Sequence, residues 1–105
     1  MNFNFLYITC TDKAEAKNIG RALVEARLAA CVNILDNMQS IYWWQGKIEE
    51  GEETVLLAKT RDSLVDQVIK KVAELHSYDN PCIVSLPIEK GSAEYLKWLE
   101  KETKE

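Results

Sequence analysis

Cys10, His76 and Cys82 are the residues of this chain whose chemistry best suits a metal ion. A thiolate, an imidazole and a second thiolate form a soft donor set that favours copper(I) or zinc. Carboxylates at Asp12 and Asp79 stand close to them in sequence and would let harder divalent ions be held weakly. A third cysteine, Cys31, makes the count odd, and no two cysteines form a Cys-x-x-Cys pair. That pattern is neither a disulfide framework nor a zinc knuckle, and in a reducing compartment it predicts free thiols. A plainer account stands beside the metal one. Isolated cysteines in apolar segments commonly serve as small core residues, and a histidine at a helix end can cap backbone carbonyls.

The elements that carry these donors decide whether they meet. Phe3 to Thr9 is rich in aromatic and β-branched residues and predicts a strand. Asp12 followed by Glu15 is a capping-box-like start. Ala16, Ile19, Leu23 and Ala26 then recur at helical spacing, predicting a helix from Lys13 to Leu28. Strand character returns at Ala30–Leu35, Asp36 and Asn37 permit a bulge, and it resumes from Ser40 to Ile48. The acidic Glu49–Glu52 segment, with Gly51, predicts the hairpin turn, and Glu53 to Thr60 a third strand. Asp62 or Ser63 should cap a second helix with Val65, Val68, Val72 and Leu75 on one face, ending near His76. Pro81 introduces a fourth strand through Ile88, in which Pro87 suits a sheet edge, and Gly91 and Ser92 open a terminal helix.

Strand, helix, two strands, helix and strand, with a hairpin in the middle, is the split β-α-β order of an α+β ferredoxin-like fold. Residues 1–105 then make one domain with an antiparallel sheet, a long kinked hairpin and an extra C-terminal helix. Both crossover helices cover one sheet face, and the other face is left bare. In this topology Cys10, His76 and Cys82 share one end of the sheet, and Cys31 falls at the other.

Tyr42, Trp43 and Trp44 stand side by side on the hairpin. Alternation along a strand sends Tyr42 and Trp44 to one face and Trp43 to the other, so a small domain cannot bury all three. An apolar ribbon beside a bare sheet face predicts an interface, and hence self-assembly.

Composition narrows the function. The 105 residues include 13 basic and 17 acidic side chains, a net charge of −4, which argues against nucleic-acid binding. No apolar run is long enough to cross a membrane, and Met1–Tyr7 lacks the pattern of a signal peptide, so a cytoplasmic protein is expected. A phosphate-binding glycine loop, a His-Glu metalloprotease motif and a Gly-x-Ser-x-Gly elbow are all missing, so the expected protein is not an enzyme and requires no cofactor. Thr9-Cys10-Thr11-Asp12 replaces the arginine-bearing anion loop of acylphosphatases, which share this topology. Glu53–Thr60 lacks the stacking aromatics of RNA-recognition domains.

The chain resembles the CutA divalent-cation tolerance proteins over nearly its full length. The resemblance rests on Leu28-Ala-Ala-Cys-Val-Asn-Ile34, Ser40-Ile-Tyr-Trp-Trp-Gln-Gly-Lys-Ile-Glu49, Lys59-Thr60, His76-Ser-Tyr-Asp-Asn-Pro81 and Tyr95-Leu-Lys-Trp98. It implies a ferredoxin-like subunit in a tight homotrimer similar to the nitrogen-regulatory PII proteins, and a cytoplasmic role linked to copper or other divalent metals. It carries metal binding to Cys10 and His76; Cys82 is added by the topology. By analogy with PII-like trimers it also suggests an inter-subunit cleft with Lys59, Tyr78 and Trp44, and a trimer interface at Tyr42, Trp43 and Trp44. A reading as a scaffold or signalling module, with no physiological metal role, stays open beside it. The chain departs from the common family pattern in carrying Ser77 where many members have proline, Leu75 where some have a second histidine, and Cys82 where many have glutamate.

Overall fold

A computed structural model describes residues 1–105. Its elements are β1 (Phe3–Cys10), α1 (Lys13–Glu25), β2 (Cys31–Trp44), β3 (Lys47–Arg61), a 3-10 turn (Asp62–Leu64), α2 (Val65–Leu75), β4 (Ile83–Ile88) and α3 (Ala93–Lys101). The sheet order is β2-β3-β1-β4, and every neighbouring pair is antiparallel. The α+β ferredoxin-like arrangement with β1 and β3 central is therefore present. Alternation along β1 sends Leu6, Ile8 and Cys10 into a core with Ile19 and Leu23 of α1 and Val68 and Val72 of α2. Helix α1 approaches the sheet closely at Gly20, where an added Cβ would lie 2.9 Å from Val32 Cγ2.

The second sheet face is only partly bare. Helix α3 closes its far end, with Lys59 Nζ 5.5 Å from the Tyr95 ring centre and Arg61 donating to the Glu100 carbonyl and to Thr103. Leu99 is fully buried there, outside the main core. The expectation of a wholly uncovered face misjudged this short helix.

Three boundaries differ from expectation. Helix α1 stops at Glu25 because Arg27 adopts φ 61° and the Leu28 N–H turns back to the Leu23 carbonyl, a left-handed termination. Neither Asp62 nor Ser63 caps α2 through its side chain; the 3-10 turn leads into the helix instead. The hairpin turn is Gln45–Gly46, not Glu49–Glu52. Both turn residues have positive φ, 48° and 79°, and Trp44 pairs with Lys47. Two positive φ angles in a two-residue loop match the right-handed twist of the flanking strands. Gly51 instead lies within β3, opposite Ser40.

The bulge falls at Asp36–Asn37, as its residue types predict. Leu35 pairs with Val55 and Met38 with Glu53, so two residues oppose Thr54 alone. Asn37 has φ 60°, and the Asp36 carboxylate accepts from the Thr54 hydroxyl at 2.7 Å and from the Asn37 N–H at 2.9 Å. Beyond this kink the hairpin runs outward, and the molecule measures 45 × 25 × 22 Å.

Replacing Gly46 by alanine should cost about 1 kcal/mol, because a Cβ is disfavoured at positive φ. Gly51→Ala should be neutral or slightly stabilising, since strand interiors disfavour glycine. Urea unfolding of the two variants checks this; the reverse order would place the turn at Gly51.

Candidate metal centre and sheet-face groove

The cluster begins with the strand period. Leu6, Ile8 and Cys10 face the helices, so the Cys10 thiol is buried at the end of β1 beneath the first turn of α1. That turn is fixed by Asp12, whose Oδ1 accepts from the Glu15 N–H at 2.8 Å. The reciprocal bond does not go to Asp12: Glu15 Oε1 accepts from the Thr11 N–H at 3.0 Å. Glu15 is thereby held over Cys10. At the other side α2 ends at Leu75, and His76 leaves the helix in an extended conformation with its side chain fully buried. A Cys10 sulfur, a Glu15 oxygen and a His76 nitrogen all lie within 4.8 Å of one another.

Hydrogen bonding fixes the histidine tautomer. His76 Nε2 lies 2.7 Å from the Thr9 carbonyl oxygen, which can only accept, so Nε2 carries the proton. Nδ1 then presents a lone pair and accepts from the Tyr78 N–H at 3.1 Å. The same nitrogen lies 3.8 Å from Glu15 Oε1. Glu15 also accepts from the Ser77 N–H at 2.9 Å. Burial pushes the Glu15 carboxyl up, but the hydrogen bonds from Thr11 and Ser77 outweigh it and hold the group below its ordinary range.

Burial, reinforced by the charges of Glu15, Asp12 and Glu53, pushes the Cys10 thiol up to about 12. The native thiol is protonated and inert at neutral pH, and a metal would have to displace its proton. The donors themselves fit a cation: one soft sulfur, one borderline imidazole and one hard carboxylate. They are three, whereas structural zinc takes four, so the set suits weak and exchangeable holding.

Cys82 is not among them. Its carbonyl accepts from the Thr9 N–H at 3.3 Å, but its exposed side chain lies on the opposite face of the sheet. Topology placed it at the correct end and missed the side, because β1 exposes Thr9 and Cys10 to different faces. Glu15 takes the third place. The sequence marked it as a helix-start residue, and that same role brings it over the cysteine.

On the other face Cys82 lines a groove of about 730 Å³ together with Tyr7, Met38, Tyr42, Trp44 and Tyr78. The Tyr7 hydroxyl donates to Met38 Sδ at 3.2 Å, and the Tyr78 hydroxyl to Glu53 Oε2 at 2.9 Å. Burial, followed by this bond to Glu53, pushes the Tyr78 phenol up to about 12. Tyr78 and Trp44 therefore line the same groove within one chain. Lys59 does not join them; it pairs with Phe5 and Cys31 farther along the sheet and sits against Tyr95. Trp43 is the most exposed residue of the aromatic ribbon, at 73%, with Ile41 at 71% and Ile48 at 60% on the same hairpin.

Cys10 and Tyr78 both hold their protons more tightly in the folded chain, from ordinary values of 9.0 and 10.0 to about 12. Their contribution is complete below pH 9 and is lost as pH rises towards 12, because the unfolded chain ionises first. Stability should fall in that window by about 1.4 kcal/mol per pH unit from the buried thiol. Melting curves between pH 8 and 11 should be shallower for Cys10→Ala than for wild type; parallel curves would contradict this assignment.

Comparison with known proteins agrees with the fold. A family model described as CutA1 divalent ion tolerance protein matches residues 4–102. The chain is 44% identical over 98 residues to the divalent-cation tolerance protein CutA of Archaeoglobus fulgidus, covering 93% of this chain and 95% of that protein. The crystal structure of CutA1 from Oryza sativa superimposes with a TM-score of 0.97 at 38% identity, covering 100% of this chain and 96% of that one. The CutA1 structure from Thermus thermophilus gives 0.94 at 44% identity, covering 97% and 99%. Against the chloroplastic CutA 1 of Oryza sativa, 40% identical over 100 residues, the chain spans 56% of the longer protein. With sequence, fold and nearly the whole chain in agreement, this protein belongs to the CutA divalent-cation tolerance family.

Proposed function

We propose that residues 1–105 form one folded unit that acts without catalysis as a homotrimeric, cytoplasmic protein of divalent-metal tolerance, holding copper or a similar cation weakly. The observation that carries this reading is the meeting of Cys10, Glu15 and His76 within 4.8 Å at the end of β1. When bound, the cation would take the thiolate, the imidazole and the carboxylate as ligands, and the family's names for divalent-cation tolerance point to the same chemistry. Weakness follows from the competing bonds: the thiol is protonated, and both ring nitrogens and both Glu15 oxygens already have partners. Copper(II) and zinc titrated calorimetrically into wild type and into Cys10→Ala/His76→Ala should show binding at least tenfold weaker in the double variant. Equal affinity would remove the site from these residues.

The trimer is supported by the projecting hairpin, whose Ile41, Trp43 and Ile48 would otherwise stay in water. Trp43→Ala/Trp44→Ala should lower the assembled mass by light scattering and reduce the melting temperature, since each buried tryptophan lost costs roughly 3 to 5 kcal/mol. An unchanged mass and melting temperature would refute the hairpin as the interface.

A second reading, a PII-like scaffold or signalling module that binds a protein or small ligand, is favoured by the aromatic groove at Tyr78 and Trp44. Lys59 lies elsewhere in the same chain, so a cleft with all three residues requires a neighbouring subunit to supply it.

A further inference from the structure

The cation cluster and the groove lie on opposite faces of the sheet, and the segment Ser77–Asn80 belongs to both. It is fastened to the cluster by two N–H groups: Ser77 donates to Glu15 Oε2 at 2.9 Å and Tyr78 to His76 Nδ1 at 3.1 Å. It is fastened to the groove by the Tyr78 hydroxyl on Glu53, while Tyr78, Asp79 and Asn80 form part of the groove wall. The Tyr78 ring also packs on His76, with centroids 4.8 Å apart.

His76 has one nitrogen to offer a cation. Nε2 carries the proton given to the Thr9 carbonyl, an arrangement that in metal proteins orients a histidine ligand through its other nitrogen. Nδ1, the nitrogen 3.8 Å from Glu15 Oε1, has a single lone pair, and the Tyr78 N–H occupies it. A carboxylate can share its several lone pairs, but the imidazole cannot. Coordination at Nδ1 and the present position of Tyr78 are therefore alternatives.

We infer that cation binding at Cys10, Glu15 and His76 releases the Ser77–Asn80 segment and opens the groove wall at Tyr78. The inference rests on the metal reading above and adds its regulation: the cluster and the groove report on each other through one loop. Linkage makes the effect reciprocal, so whatever settles Tyr78 against the groove weakens the cation, and loosening Tyr78 strengthens it.

Amide hydrogen exchange of the full-length protein with and without zinc, alongside zinc calorimetry, tests the coupling. Zinc should accelerate exchange in a peptide spanning Ser77–Asn80. Tyr78→Phe, which deletes the hydroxyl and its bond to Glu53 while keeping the ring, should bind zinc roughly five- to tenfold more tightly, the worth of one net hydrogen bond. If zinc binds but exchange in the segment stays the same or slows, or if Tyr78→Phe binds no more tightly than wild type, the coupling is wrong and the metal reading stands. If calorimetry finds no zinc binding to wild type, the metal reading fails and the coupling fails with it.

Discussion

The pairing of β1 between β3 and β4 governs both candidate sites, because a strand cannot turn two successive side chains to the same face. Thr54 opposite Cys10 and Val55 opposite Thr9 fix which of these residues looks inward. Cys10 then lies under α1 in a fully buried position, and Thr9 looks across to the groove. A slip of one residue in this register would exchange the two and dissolve the cluster. The Thr9 carbonyl, left between the faces, accepts a hydrogen bond from His76 Nε2–H and so sets which ring nitrogen is free to accept.

Around that strand end the polar groups are saturated. No buried side-chain nitrogen or oxygen lacks a partner. Saturation explains how a thiol, an imidazole and a carboxylate can sit so close without destabilising the fold, since buried polar groups are costly only when unpaired. It also gives the cluster its chemical character. Each donor is already committed to a backbone N–H, a backbone carbonyl or its own proton, so ligation exchanges one set of bonds for another and the net gain is small.

The two sheet faces divide the labour of the fold. One is sealed by α1 and α2 over a continuous apolar core. The other receives α3 at the end carrying Lys59 and Arg61, while Val84, Leu86 and the hairpin aromatics remain exposed. The bulge at Asp36–Asn37 separates a packed inner half of the hairpin from an exposed outer half, since on β3 Thr54, Val55, Leu56, Ala58 and Thr60 are buried while Lys47–Glu52 are exposed. A long ribbon without a core of its own is marginal in water, and only further packing makes it durable.

Residue types and periodicity determined much of this by themselves. The apolar stripes of both crossover helices, the β-branched strands and the Asp36–Asn37 bulge were legible because side-chain period and turn chemistry are local properties. So was the placement of Cys10 and His76 at one end of the sheet, each set by the end of a readable element. The hairpin turn was not: Gly46 follows glutamine rather than asparagine, and the acidic stretch around Gly51 imitates a loop while remaining paired in β3. Nor was the third donor, because Glu15 reads as an ordinary helix-start residue and only packing brings its carboxylate beside Cys10 and His76. Tertiary structure alone decided that Cys82 faces away, that α3 covers the sheet's far end, and that one loop joins cluster to groove. These depend on which face, which distance and which lone pair, quantities that arise only when segments remote in sequence are brought into register.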